Sequence, residues 1–283
     1  MTPNDPHARR VLRQFLETDQ LLGVDAVPVA TRARLAPSAA ASPRQASAPT
    51  SSPSTPAGHH DDPMPSPSPH APVAIEKAEP TDRDTKLRLL SELDANEVRN
   101  CTRCRLSESR TQTVFGEGDV DARILFIGEG PGQTEDETGR PFVGRAGELL
   151  TKMITAMGFS RESVYIANVV KCRPPENRTP QADEVDACRE YLLKQVAWIH
   201  PEAIVTLGGP AAKLVLGTKE GITRIRGKWS TFDEVDPPIP VMPTFHPAYL
   251  LRNYTPDTRK KVWSDLCAVL DRLGLTPPAK REG

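Results

Sequence analysis

Four short apolar runs, at residues 123–127, 164–169, 203–207 and 239–244, alternate with stretches of helical periodicity at 146–157, 181–198, 210–216 and 257–273. A run of five or six apolar residues fits a strand buried on both faces, whereas spacing of three and four residues fits a helix. Strands that take turns with helices join by right-handed crossovers into a parallel sheet covered on both sides. The pattern therefore predicts an α/β fold, a three-layer α/β/α sandwich around a central four-stranded parallel sheet. A further helix is predicted over residues 85–100. In such a sheet the ligand lies beyond the carboxyl ends of the strands.

Those ends carry residues that packing alone does not explain. Gly128-Glu129-Gly130-Pro131-Gly132 follows the first strand, and a loop containing Pro141-Phe142-Val143-Gly144 comes after it. Asn168 ends the second strand and leads to Lys171-Cys172-Arg173-Pro174-Pro175; Gly208-Gly209-Pro210 follows the third, and His246-Pro247 the fourth. The glycine turn is not a dinucleotide fingerprint, because Gln133 stands where the third glycine belongs and a long loop precedes the helix. Its glycines instead let backbone amides come close to a flat ligand. Asn168 brings a buried amide that needs partners. Phe142 is either a core residue or a stacking face. His246, locked by Pro247, is either structural or functional.

Cysteines add a second signal. Cys101-x-x-Cys104, Cys172 and Cys188 have the spacing of a four-thiolate metal site, and a fifth, Cys267, falls in the last helix as a core thiol. No signal peptide and no apolar run of transmembrane length is visible, which points to the cytoplasm, where disulfides are rare. Metal is favoured on that ground over two disulfides or four unrelated thiols. Zinc and iron–sulfur both accept four thiolates, so spacing does not separate them.

The chain is not uniform in composition. Eleven of its 29 prolines fall between residues 36 and 80, and no aromatic residue occurs between Phe15 and Phe115. A stretch of that kind buries too little apolar surface to offset chain entropy. Residues 1–84 are thus expected to form a disordered Pro/Ala/Ser-rich tail with a short amphipathic helix at 9–22, a docking peptide for an unknown protein partner or a helix with none. Residues 85–275 are expected to form the folded domain, and 276–283 a flexible C-terminus. With 36 Lys and Arg against 37 Asp and Glu, net charge does not announce nucleic acid. Local basic clusters such as Lys171, Arg173 and Arg178 follow strand ends and are candidates for one rim.

Taken together, four segments carry a resemblance. They are Gly128-Glu129-Gly130-Pro131-Gly132-x-x-Glu135-Asp136, Gly139-x-Pro141-Phe142-Val143-Gly144-x-Ala146-Gly147, Asn168-Val169-Val170-Lys171-Cys172-Arg173-Pro174-Pro175 and His246-Pro247-Ala248-Tyr249-Leu250-Leu251. With the cysteine order, they resemble the family 4, iron–sulfur type of uracil-DNA glycosylase over residues 85–275. The resemblance implies a uracil-DNA glycosylase-like fold and a [4Fe–4S] cluster on Cys101, Cys104, Cys172 and Cys188. It implies an enzyme that flips uracil out of single- or double-stranded DNA and hydrolyses its N-glycosidic bond, leaving an abasic site. Phe142 would stack on the base, Asn168 would read its O4 and N3–H edge, and Glu135 would exclude the thymine methyl. His246 would donate to the developing charge on O2 beside the amides near Gly130, Glu129 would orient water, and Leu250 would wedge into the gap left in the duplex.

Other readings on the same fold are a non-catalytic or a covalent uracil-DNA-binding module. Covalent trapping in some relatives uses a histidine in a basic loop after the second strand, and residues 174–180 contain none. A third alternative is a zinc-stabilised interaction domain.

Overall fold

The computed structural model describes residues 82–278. The helix expected at 9–22 and the proline-rich stretch lie outside them, as do the last five residues. Eight α-helices of the described region are used below: α1 (Arg83–Leu93), α2 (Gln133–Thr138), α3 (Arg145–Ala156), α4 (Ala182–Ile199), α5 (Gly209–Leu216), α6 (Ile222–Ile225), α7 (Pro247–Arg252) and α8 (Pro256–Arg272). The strands are β1 (Glu117–Gly118), β2 (Ile124–Gly128), β3 (Tyr165–Asn168), β4 (Ala203–Leu207), β5 (Ser230–Phe232) and β6 (Ile239–Thr244).

They form one sheet in the order β1-β3-β2-β4-β6-β5. The four apolar runs are its middle, and each neighbouring pair among them is parallel. The expectation of a four-stranded parallel sheet is nonetheless corrected: the sheet has six strands and is mixed. β1 pairs antiparallel with β3, and β5 antiparallel with β6. At two and three residues these edge strands are too short to show the alternation that reveals a strand in sequence.

Side-chain alternation divides the sheet into two faces. Leu125 and Ile127 of β2 join a core with Leu90 and Leu93 of α1, Tyr191 and Leu192 of α4 and Val215 of α5. Ile124 and Phe126 join a second core with Leu150 and Met153 of α3 and Val262 and Leu266 of α8. Helices thus cover both faces, and every residue of β2, β3 and β4 is buried.

Helix ends follow local chemistry. The Asp82 side chain accepts from the Thr85 amide and starts α1, which runs at its C-terminal end into a π-helical turn, Asp94–Val98, within the span predicted as one helix. Thr255 caps α8 with Pro256 in its first turn. At α7 the cap is His246 itself, with Pro247 behind it. The start of that short helix therefore fixes the imidazole at the end of β6.

Candidate active site

All four parallel strands end on one side of the sheet, and an open cleft of about 570 Å³ lies there. Glu129 and Gly130 reach it from the end of β2, Asn168 from β3, Gly208 from the turn after β4, and His246 from the end of β6; Glu135 and Phe142 close one flank. Six of the seven non-cysteine residues singled out in the sequence line this one space.

Asn168 is 1% exposed, and its Oδ1 has no hydrogen-bond partner. A buried acceptor left open is costly unless something outside the chain satisfies it. Its backbone carbonyl does have a partner: Lys171 Nζ donates to it at 3.0 Å and to Gln195 Oε1 at 2.5 Å. Lys171 is thus 1% exposed and is no rim residue; burial lowers its pKa to about 8. Sequence reasoning missed Gln195, a buried polar residue at a core position of a long helix.

The Phe142 ring stands beside Asn168. Gly128 leaves space for both, since a Cβ there would come within 2.4 Å of Asn168 Oδ1 and of Phe142 Cζ. Phe142 is buried and has φ of 51°, a left-handed conformation unusual for a bulky side chain.

His246 Nδ1 accepts from the Ala248 amide at 3.0 Å. The neutral ring then carries its proton on Nε2 and can act there as a donor. Burial and the nearby Arg252 charge push its pKa down to about 4, so the ring is neutral at physiological pH. Its centroid is 5.6 Å from that of Phe142.

The two carboxylates differ. Burial raises the pKa of Glu129 against the opposing hydrogen bond from Thr179. Glu135 is fully engaged: Oε1 accepts from the amides of Val143 (2.9 Å) and Gly144 (2.8 Å), and Oε2 from that of Gly132 (3.2 Å). It ties the glycine turn to the loop that carries Phe142.

The chain is similar to known proteins. Residues 115–267 match the uracil DNA glycosylase superfamily. The type-4 uracil-DNA glycosylase of Thermotoga maritima is 50% identical over 181 residues, covering 62% of this chain and 91% of the relative. That of Saccharolobus solfataricus is 44% identical over 191 residues, 66% of this chain and 88% of the relative. That of Archaeoglobus fulgidus is 40% identical over 186 residues, 64% and 92%.

The chain belongs to the type-4 uracil-DNA glycosylase family.

Leu250, expected as a wedge, is 2% exposed and packs in the core shared with α3 and α8. Its neighbours Tyr249 and Leu251 are the exposed ones, each 37% exposed. A six-residue helix presents alternate flanks, and the core side falls to position 250.

One expectation drawn from the family pattern is corrected, and it concerns the metal centre. Among the described residues no group of three or more His, Cys, Asp or Glu side chains could hold a metal ion. The four-thiolate site and its [4Fe–4S] cluster are therefore not supported. Cys101, Cys104, Cys172 and Cys188 do border one small cavity, of about 10 Å³. Their sulfurs face protein donors instead: Arg110 Nη1 to Cys172 Sγ at 3.1 Å, the Lys171 amide to Cys188 at 3.2 Å and the Tyr191 hydroxyl to Cys101 at 3.3 Å. Burial raises the pKa of Cys104 and Cys172 and takes Cys188 to about 12. Spacing along the chain reports which residues can meet, not how their sulfurs are presented. Cys267 is partly buried.

Thr179, Tyr249 and Arg252 also line the cleft. Arg252 is one of the local basic residues that the sequence offers as rim candidates; Thr179 and Tyr249 were assigned no role, because each is a common surface residue type in a loop or a short helix. Among the described residues no helix is long and apolar enough to cross a membrane.

Proposed function

We propose that the cleft takes a uracil flipped out of DNA and that the chain hydrolyses its N-glycosidic bond. The observation that carries this reading is the open Asn168 Oδ1, buried beside the Phe142 ring and facing the cleft shared with His246. Oδ1 accepts from uracil N3–H, and the amide nitrogen donates to O4. Cytosine presents the reverse pattern at these two atoms, so an amide held in one orientation discriminates between them. Phe142 supplies a stacking surface for the flipped base, worth about 1–3 kcal/mol for a base on an aromatic ring. Flipping itself costs a few kcal/mol, which these contacts offset. Glu135 ties the Gly132 turn to the Phe142 loop, and in this reading it is the side chain that excludes the thymine methyl.

In the reaction the bond between C1′ and uracil N1 breaks, its electron pair leaves with the base, and negative charge spreads onto O2. The neutral His246 donates from Nε2 to that oxygen; one donor of this kind is typically worth about 10²–10³ in rate. Glu129, as the carboxylate, orients a water towards C1′ and stabilises the cationic sugar. The water oxygen bonds to C1′, and the proton it gives up passes through solvent to the departing uracil anion. The products are free uracil and an abasic strand.

The second reading is a uracil-DNA-binding module on the same fold that does not catalyse. It is favoured by the departure at the cysteines, where the metal centre implied by the family resemblance is not supported. Both readings share uracil recognition by the cleft. A single-turnover assay separates them: the full chain is incubated with a uracil-containing oligonucleotide and with a thymine control, then treated with alkali. Alkali-labile strands and free uracil support excision. Uracil-selective retention without breakage supports the binding module, and a heat-stable protein–DNA adduct supports covalent capture. Equal behaviour towards uracil and thymine overturns the assignment of the cleft.

A further inference from the structure

Phe142 holds a left-handed backbone, φ 51°, with no glycine to relieve it. Such a conformation persists only where the surroundings over-determine it. Arg161, which the reading of the cleft leaves unused, supplies much of that determination. Its Nη1 donates to the Phe142 carbonyl at 2.8 Å and to Thr151 Oγ1 at 3.2 Å; its Nη2 donates to the Pro141 carbonyl at 2.7 Å. Two successive carbonyls are thus held by one guanidinium, a grip that needs its planar fork. The guanidinium is in turn fixed by Glu117 of the edge strand β1, with Nη2 to Oε1 at 2.5 Å and Nε to the same oxygen at 3.2 Å. The Arg161 side chain is 13% exposed. On the far side of Phe142, Glu135 holds the next two amides, those of Val143 and Gly144. Arg161 therefore holds the peptide units on both sides of Phe142 by their carbonyls, and Glu135 holds the unit after Phe142 and the next one by their amides.

We propose that Arg161 is a positioning residue for base stacking, one that locks the Phe142 turn so that the ring stands against Gly128 and Asn168 before DNA arrives. The proposal deepens the uracil reading and rests on it for its binding consequence. Without the fork the Pro141 and Phe142 carbonyls lose their partner, the turn relaxes towards ordinary backbone angles, and the ring leaves the wall of the cleft.

The test is a double-mutant cycle on the full chain with Arg161→Met, Phe142→Ala and the two combined. Arg161→Lys is added as a milder variant that keeps the charge beside Glu117 but lacks the fork. The first readout needs no DNA: the ring-proton signal of 13C-labelled His246, whose ring lies 5.6 Å from that of Phe142 and senses its ring current. Arg161→Met and Arg161→Lys should each move that signal towards its position in Phe142→Ala, and the combined variant should match Phe142→Ala. The second readout is the ratio of affinities for uracil and thymine oligonucleotides. Arg161→Met should lower it about tenfold or more, the scale of one base–aromatic stack, and by nothing further once Phe142 is alanine. A His246 signal unchanged in both Arg161 variants overturns the proposal. So does a loss of selectivity as large in the Phe142→Ala background as in the wild type, which is the mark of a merely structural ion pair. If the wild type itself does not prefer uracil, the uracil reading fails, and the histidine signal alone decides the clamp.

Discussion

A Cβ on Gly128 would stand 2.4 Å from Asn168 Oδ1, closer than any real contact, so the strand that ends at Gly128 must end without a side chain for the amide to sit where it does. The same missing atom makes room for the Phe142 ring, also 2.4 Å away. One glycine thus sets the spacing of the base reader and the stacking surface.

Gly128→Ala should separate pocket shape from overall stability. Overpacking of this kind costs about 1–3 kcal/mol. Uracil selectivity should fall with it, because both displaced groups belong to the pocket. Thermal unfolding and oligonucleotide binding measured side by side check this; full selectivity in a folded variant would place the reader elsewhere.

For His246 the expected signature is a flat acid side. The folded pKa of about 4 lies below the ordinary 6.5, so protonation favours the unfolded chain. This contribution to stability is fully present above pH 6.5 and is lost as pH falls towards 4. The single-turnover rate should likewise show no histidine limb between pH 6 and 7. A rate that falls with a midpoint near 6.5 would mean that the imidazole is solvated.

Glu129→Gln removes the charge that orients water and leaves the shape. Single-turnover excision should drop by about 10²–10⁴ while uracil-DNA affinity changes little. In the wild type the rate should rise with pH as the carboxyl ionises, through a midpoint above the usual glutamate range, because burial raises its pKa. Equal losses in rate and affinity would make Glu129 a binding residue.

Leu250 and Leu251 should part company. Leu250→Ala opens a cavity in the core and should cost about 2–5 kcal/mol of stability. Leu251→Ala, at an exposed position, should stay within about 0.5 kcal/mol. Denaturant titration of both variants decides the point, and a silent Leu250→Ala would return that residue to the surface.

The central strands could be read from the chain, because each is buried on both faces and so is apolar along its whole length. The same reading points to one edge of the sheet as the site, since crossovers leave all four strands ending on the same side. Glu129, Asn168 and His246 were legible as polar residues at those ends. The edge strands β1 and β5 were not, for two or three residues carry no period. Nor was the grip of Arg161 on Phe142, which joins residues 19 apart through a guanidinium and a carbonyl. Local pattern likewise left the orientation of Leu250 open: whether an apolar side chain in a six-residue helix turns to core or solvent depends on what packs beneath it. At the cysteines, spacing suggested a shared ligand, but protein donors and burial surround the sulfurs. Periodicity records how each residue is buried along its own element. The meeting of distant side chains depends on how the elements pack, and that is settled in three dimensions.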